Sequence, residues 1–107
     1  MRAGEAPIEL ARRLTPVLKA LSDEKRLAIL LAIAGRDLSV TELTVTTGLP
    51  QTLVSHHLKS LRDNGLVTVT AQGRSNIYSL CFATVAEPLE LLAALTKEPT
   101  TSSMVGQ

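Results

Sequence analysis

Residues 41–80, TELTVTTGLPQTLVSHHLKSLRDNGLVTVTAQGRSNIYSL, constrain the fold more tightly than any other part of the chain. Two short runs of helical character meet at Thr47-Gly48-Leu49-Pro50, the second stops at Asn64-Gly65, and an alternating pattern follows. In QTLVSHHLKSLRDN, Val54, Leu58 and Leu61 recur at i, i+4 and i+7, the spacing of a helix with one buried stripe, flanked by Leu53 and His57. Gln51, Thr52, Ser55, His56, Lys59 and Arg62 fall on the opposite side. LVTVT and SNIYSL alternate around AQGR, which predicts a hairpin turning at Gln72-Gly73 with Arg74 at its tip.

The flanking segments read as helices. PIELARRLTPVLKALS places Leu10, Leu14, Val17, Leu18 and Leu21 on one stripe, and Pro16 predicts a kink or a restart at Thr15-Pro16. In SDEKRLAILLAIAG, Ser22 or Asp23 caps and Gly35 stops the helix; Leu27, Ile29, Leu30, Leu31 and Ile33 run nearly round it, predicting a helix in mid-core. SVTELTVTTG carries a capping box from Ser39 to Glu42 and a left-handed stop at Gly48. TVAEPLELLAALTK lines up Val85, Leu89, Leu92 and Leu95, with Pro88 in or near the first turn. The expected organisation is one domain over residues 1–97 and a polar, disordered tail over 98–107.

Composition narrows the function classes. Hydrophobic residues make up 45% and aromatics only 2%, so the core is aliphatic and base stacking on aromatic platforms is disfavoured. The net charge of +1 is uninformative until it is placed. Between Gln51 and Arg74 the bases Lys59, Arg62 and Arg74 face the single acid Asp63, while Glu5, Glu9, Glu87, Glu90 and Glu98 lie toward the ends. One cysteine, Cys81, favours a reducing compartment, and with no long apolar run and no secretory signal the expected location is the cytoplasm, away from membranes. No GxSxG, HExxH, phosphate-binding glycine loop or paired acid in a plausible cleft supports an enzyme.

Two short helices joined by a tight glycine turn form a helix-turn-helix, whose second helix enters the major groove of DNA. Gln51 suits a two-point contact to an adenine edge and Thr52 a hydroxyl or methyl contact to thymine. Ser55, His56, Lys59 and Arg62 reach phosphates or bases one turn further along. The hairpin that follows completes a winged helix, with Arg74 placed for phosphate or minor-groove contact. From LKALSDEKRLAILLAI, LSVTEL, VSHHLKSLRDNGLV and GRSNIYSL, in this order and spacing, the chain resembles the ArsR/SmtB family of bacterial winged-helix repressors across roughly residues 10–96. The resemblance implies a mainly α fold with a small β-hairpin, a homodimer joined through the first and last helices, and double-stranded operator DNA with an inverted repeat as the partner. Leu10, Leu14, Leu89 and Leu92 are then the expected interface leucines.

The family's usual metal switch has no ligands here. Ser39 and Thr41 stand where one family site has a Cys-x-Cys, and Phe82, Thr84, Leu95 and Glu98 stand at the second, of which only Glu98 could ligate a metal. No metal or other cofactor is expected. His56 and His57 point about 100° apart and have no ligand at i±4, so His56 is assigned to DNA and His57 to packing at the helix flank. Cys81 is expected to act as a small buried hydrophobe at a strand-to-helix junction, with a redox role as the alternative. The competing reading of the whole chain is a winged-helix module that binds protein without reading DNA, and it would call for apolar anchors on the face that instead carries Gln, Thr, Ser, His, Lys and Arg.

Overall fold

A computed structural model describes residues 6–96. The elements run α1 (Pro7–Leu21), α2 (Glu24–Gly35), β1 (Leu38–Ser39), α3 (Val40–Thr47), α4 (Gln51–Asp63), β2 (Val67–Gln72), β3 (Ser75–Leu80) and α5 (Phe82–Ala94). This is a winged helix-turn-helix, with a three-stranded antiparallel sheet in the order β1-β3-β2. The residues expected to form a tail, 98–107, lie outside the described range.

Local chemistry sets most boundaries. Asp23 starts α2, its Oδ2 accepting from the Lys25 amide at 3.0 Å and the Arg26 amide at 2.9 Å. Ser39 starts α3 with the complete capping box: its hydroxyl accepts from the Glu42 amide at 3.1 Å, and its own amide donates to Glu42 Oε1 at 2.9 Å. Gly48 ends α3 at φ 76°, the left-handed value that lets the chain turn sharply into α4. At the far end of α4, the Gly65 amide bonds Arg62 O and the Leu66 amide bonds Leu61 O, both at 2.9 Å, the paired closure of a Schellman stop.

Ile29, Leu30, Ile33, Leu38, Leu43, Val54, Leu58, Leu61, Leu66 and Val67 pack into one aliphatic core, with Tyr78 partly buried against it. The core therefore takes one face from each helix of the motif and the base of the hairpin. The tip of the hairpin contributes nothing to it, residues 71–76 all being exposed.

Several elements depart from expectation. α1 runs unbroken through Pro16, and the Thr15 hydroxyl, instead of capping a new helix, donates to Ala11 O at 2.5 Å. α2 is not surrounded: Ile29, Leu30 and Ile33 are buried, but Leu27 and Leu31, one turn apart, are 41% and 67% exposed, because α1, α3 and α4 cover only one side. The hairpin turns one residue later than expected. Gln72 pairs with Ser75, leaving Gly73-Arg74 as a two-residue loop, and positive φ at Gly73 (63°) with none at Arg74 is the signature of a type II′ turn. α5 starts at Phe82, so Pro88 sits in its second turn, buried against the body of the protein. The two-residue strand β1 was not expected at all. It pairs Leu38 with Tyr78 and Ser39 with Ile77, tying the start of α3 to the inner strand of the hairpin.

Candidate nucleic-acid interface

The partition of α4 is sharp. Val54, Leu58 and Leu61 are fully buried and His57 nearly so, whereas Gln51, Thr52, Ser55, His56, Lys59 and Arg62 are all exposed. The cause is the 3.6-residue repeat: the apolar residues key the helix onto α2 and α3, and the polar residues are left facing outward. Pro50 precedes the helix with extended dihedrals, so the chain enters α4 straight from the Gly48 turn and Gln51 and Thr52 stand at the exposed leading end.

Further along, α4 and β3 border a cleft of about 330 Å³ lined by Ser55, Leu58, Lys59, Arg62, Asp63 and Tyr78. It gathers the hydroxyls of Ser55 and Tyr78 and the cations Lys59 and Arg62 with one carboxylate, Asp63, so a phosphate group there would compete with Asp63 for Lys59. Gln51 and Thr52 lie outside this cleft at the leading end of the helix, and Arg74 stands apart at the hairpin tip. Among the described residues Arg62 and Arg74 make no ion pair. Lys59 does: its Nζ lies 2.8 Å from Asp63 Oδ2, both side chains well exposed. Asp63 is the single acid the sequence sets among these cations, and its i, i+4 spacing from Lys59 accounts for the pair.

His57 is more than a flanking residue, being buried to 7% exposure with Nε2 turned toward Asp23 Oδ2 at 4.0 Å. Burial, the largest influence, pushes its pKa below the ordinary 6.5, outweighing the pull of Asp23. Cys81 is half-buried rather than fully buried and occupies the N-cap position of α5. Its sulfur lies 3.3 Å from Thr84 Oγ1, and hydrogen bonding from Thr84 draws the thiol pKa below its usual value.

The positions of the two metal sites hold other chemistry. Ser39 is occupied as a cap, Thr84 as the partner of Cys81, and Phe82 and Leu95 are exposed apolar side chains. Glu98 lies outside the described residues. Among the described residues no three His, Cys, Asp or Glu side chains gather into a cluster that could hold a metal ion. No described helix is long and apolar enough to cross a membrane.

Exposed apolar surface lies away from the outward face of α4. Leu89 (50%) and Leu92 (41%) of α5, Leu95 just after it and Ile8 of α1 are exposed. Leu10 and Leu14 are covered within the single chain, yet they form the floor of a groove of about 520 Å³ between α1 and α5 whose other walls include Leu18, Leu91, Leu92 and Leu95. Arg13 and Glu87 join the two helices beside it.

Residues 23–69 match the family model described as "Bacterial regulatory protein, arsR family". The HTH-type transcriptional regulator NmtR of Mycobacterium tuberculosis is 39% identical over 87 residues, covering 79% of this chain and 72% of the relative. Among solved structures, HlyU from Vibrio cholerae superimposes with a TM-score of 0.70 at 34% identity, covering 82% of this chain and 96% of that one. An ArsR-like transcriptional regulator from Rhodococcus sp. RHA1 superimposes with a TM-score of 0.76 at 27% identity, covering 84% and 83%.

Proposed function

Because the chain belongs to the arsR family of bacterial regulatory proteins, we propose that this transcriptional regulator is a homodimeric repressor reading an inverted-repeat operator through α4, without a metal switch. The observation that carries the reading is the partition of α4, in which every outward residue from Gln51 to Arg62 is polar and the inward residues are locked in the core. A helix held that firmly presents its side chains at a fixed angle, which base readout requires.

Each residue has a role. Gln51 and Thr52 read base edges at the leading end of α4. Ser55, His56, Lys59 and Arg62 hold the phosphate backbone, and Arg74 reaches the neighbouring groove or its phosphates. A two-fold dimer sets the two copies of α4 in successive major grooves, about 34 Å apart or a small multiple of that. Its interface is assigned to Leu89 and Leu92 with the groove floored by Leu10 and Leu14. The cytoplasm is the compartment in which such a protein meets its DNA. The protein-binding alternative is disfavoured because the large exposed apolar side chains lie on other helices.

The test is a protection assay on the DNA upstream of the protein's own coding sequence, followed by anisotropy titrations of the protected site. Gln51→Ala should cost on the order of 1–3 kcal/mol and relax preference at one base pair, whereas Arg74→Ala should weaken all sequences alike and lower the salt dependence. If Gln51→Ala leaves sequence preference unchanged, α4 is not the reading element.

A further inference from the structure

We propose that His57 positions the recognition helix from inside the core, and does so only while uncharged, so that operator binding weakens on acidification. The proposal rests on the reading of α4 as the DNA-contacting helix. His57 lies at the middle of α4, immediately after the exposed His56, and the two rings are 5.5 Å apart between centroids. One side of the His57 ring, Nε2, faces Asp23 Oδ2 at 4.0 Å. That same oxygen caps α2 by accepting from the Lys25 and Arg26 amides. A single carboxylate thus fixes the start of α2 and confronts the centre of α4.

The other ring nitrogen decides the charge state. Nδ1 is buried and finds no hydrogen-bond partner among the described residues. With the proton on Nε2, Nδ1 carries only a lone pair, and the ring fits its pocket as a near-apolar plate. A second proton would place an N–H at Nδ1 with no acceptor and a positive charge in a site shielded from water. Of the charged groups facing the ring, Asp23 favours the cation, while Arg26 and Lys25 of α2 and His56 of α4 oppose it. Relief requires the ring to leave its seat, and α4, with the reading residues on its outer side, must tilt or loosen with it.

The chain has two histidines, so His56→Gln leaves His57 as the sole imidazole. Operator affinity of this variant, measured by anisotropy at fixed ionic strength from pH 8 to pH 5, should be flat above pH 7. It should then fall progressively below about 6.5, by at least twofold at pH 5, with circular dichroism showing the chain still folded. Adding His57→Gln should lower affinity at pH 7.5, because the seated imidazole no longer positions α4, and should abolish the slope between pH 7 and pH 5. Should that double variant not fold, Asp23→Asn in the His56→Gln background decides: asparagine still caps, but without the anion that favours the imidazolium the loss should move to lower pH. A flat profile in the first variant, a slope that survives His57→Gln, or an unmoved midpoint in Asp23→Asn would overturn the proposal alone. Failure of the native chain to bind the operator at pH 7.5 would instead remove the DNA-binding reading and this proposal with it.

Discussion

Replacing Leu89 and Leu92 together by glutamate should split the proposed dimer without unfolding the chain. Leu89 is 50% and Leu92 41% exposed in the single protomer, so roughly half of each side chain is still available for burial by a partner. Full burial of a leucine stabilises by about 1.5–3 kcal/mol, and the remaining half by about 1 kcal/mol. A two-fold interface uses each residue twice, giving about 4 kcal/mol, or roughly a thousandfold in the dimer dissociation constant. Glutamate must also be desolvated there, which raises the cost further. Sedimentation velocity at micromolar concentration should show the native protein near 22.8 kDa, twice the 11.4 kDa of one chain, and the variant near 11.4 kDa. The native melting temperature should rise with protein concentration and that of the variant should not. A variant that still sediments near 22.8 kDa, or a native protein that is monomeric while binding its site tightly, would refute the placement of the interface on α5.

Asp63→Asn removes the exposed pair with Lys59, so stability should change by less than about 0.5 kcal/mol while operator affinity rises and its salt dependence steepens; anisotropy at two salt concentrations checks this, and weaker binding would count against a DNA role for Lys59. Ser39→Ala should cost about 1 kcal/mol of stability in denaturant titrations, through loss of the hydroxyl that caps α3. Asp23 and Glu42 are held below their ordinary carboxylate values of 3.8 and 4.5, chiefly by hydrogen bonds from backbone amides, so their contribution is complete above those values and is lost as pH falls through the lowered ones. Glu42→Gln should therefore flatten the acid limb of a stability-versus-pH curve. Stoichiometric zinc or nickel should change operator affinity by less than about 1 kcal/mol, against the 1–3 kcal/mol typical of allosteric coupling, and a tenfold loss with one metal bound per protomer would reveal ligands outside the two sites considered.

Much that depends on neighbours within a few residues could be read in advance, though not all: Pro16 neither kinks nor restarts α1, and the hairpin turns at Gly73-Arg74, one residue later than its local pattern suggested. The Ser39 and Glu42 capping box, the Gly48 turn, the stop at Gly65 and the two faces of α4 are all written in spacings of five residues or fewer. The sequence was less telling where distant contacts decide. β1 is two residues whose partners, Ile77 and Tyr78, lie far along the chain, and nothing local marks it. The exposure of Leu27 and Leu31 depends on which sides of α2 its neighbours cover, which helical periodicity alone cannot specify. The pairing of His57 with the cap of α2 joins residues 34 positions apart, each unremarkable in its own segment.

The hairpin is anchored at one end only. Leu66 and Val67 are buried in the core, and the Cys81 amide bonds Leu66 O at 2.8 Å across the base, whereas every residue from Ala71 to Asn76 is exposed. Substitutions at the tip that keep Gly73 therefore meet almost no packing constraint and should stay within about 0.5 kcal/mol of neutral in stability. Changes in α4 are confined to its outer side, because the inner side is shared with the core. Within the proposed DNA-contacting surface the wing is thus the part least tied to the core, so its sequence can change at the smallest cost to the fold.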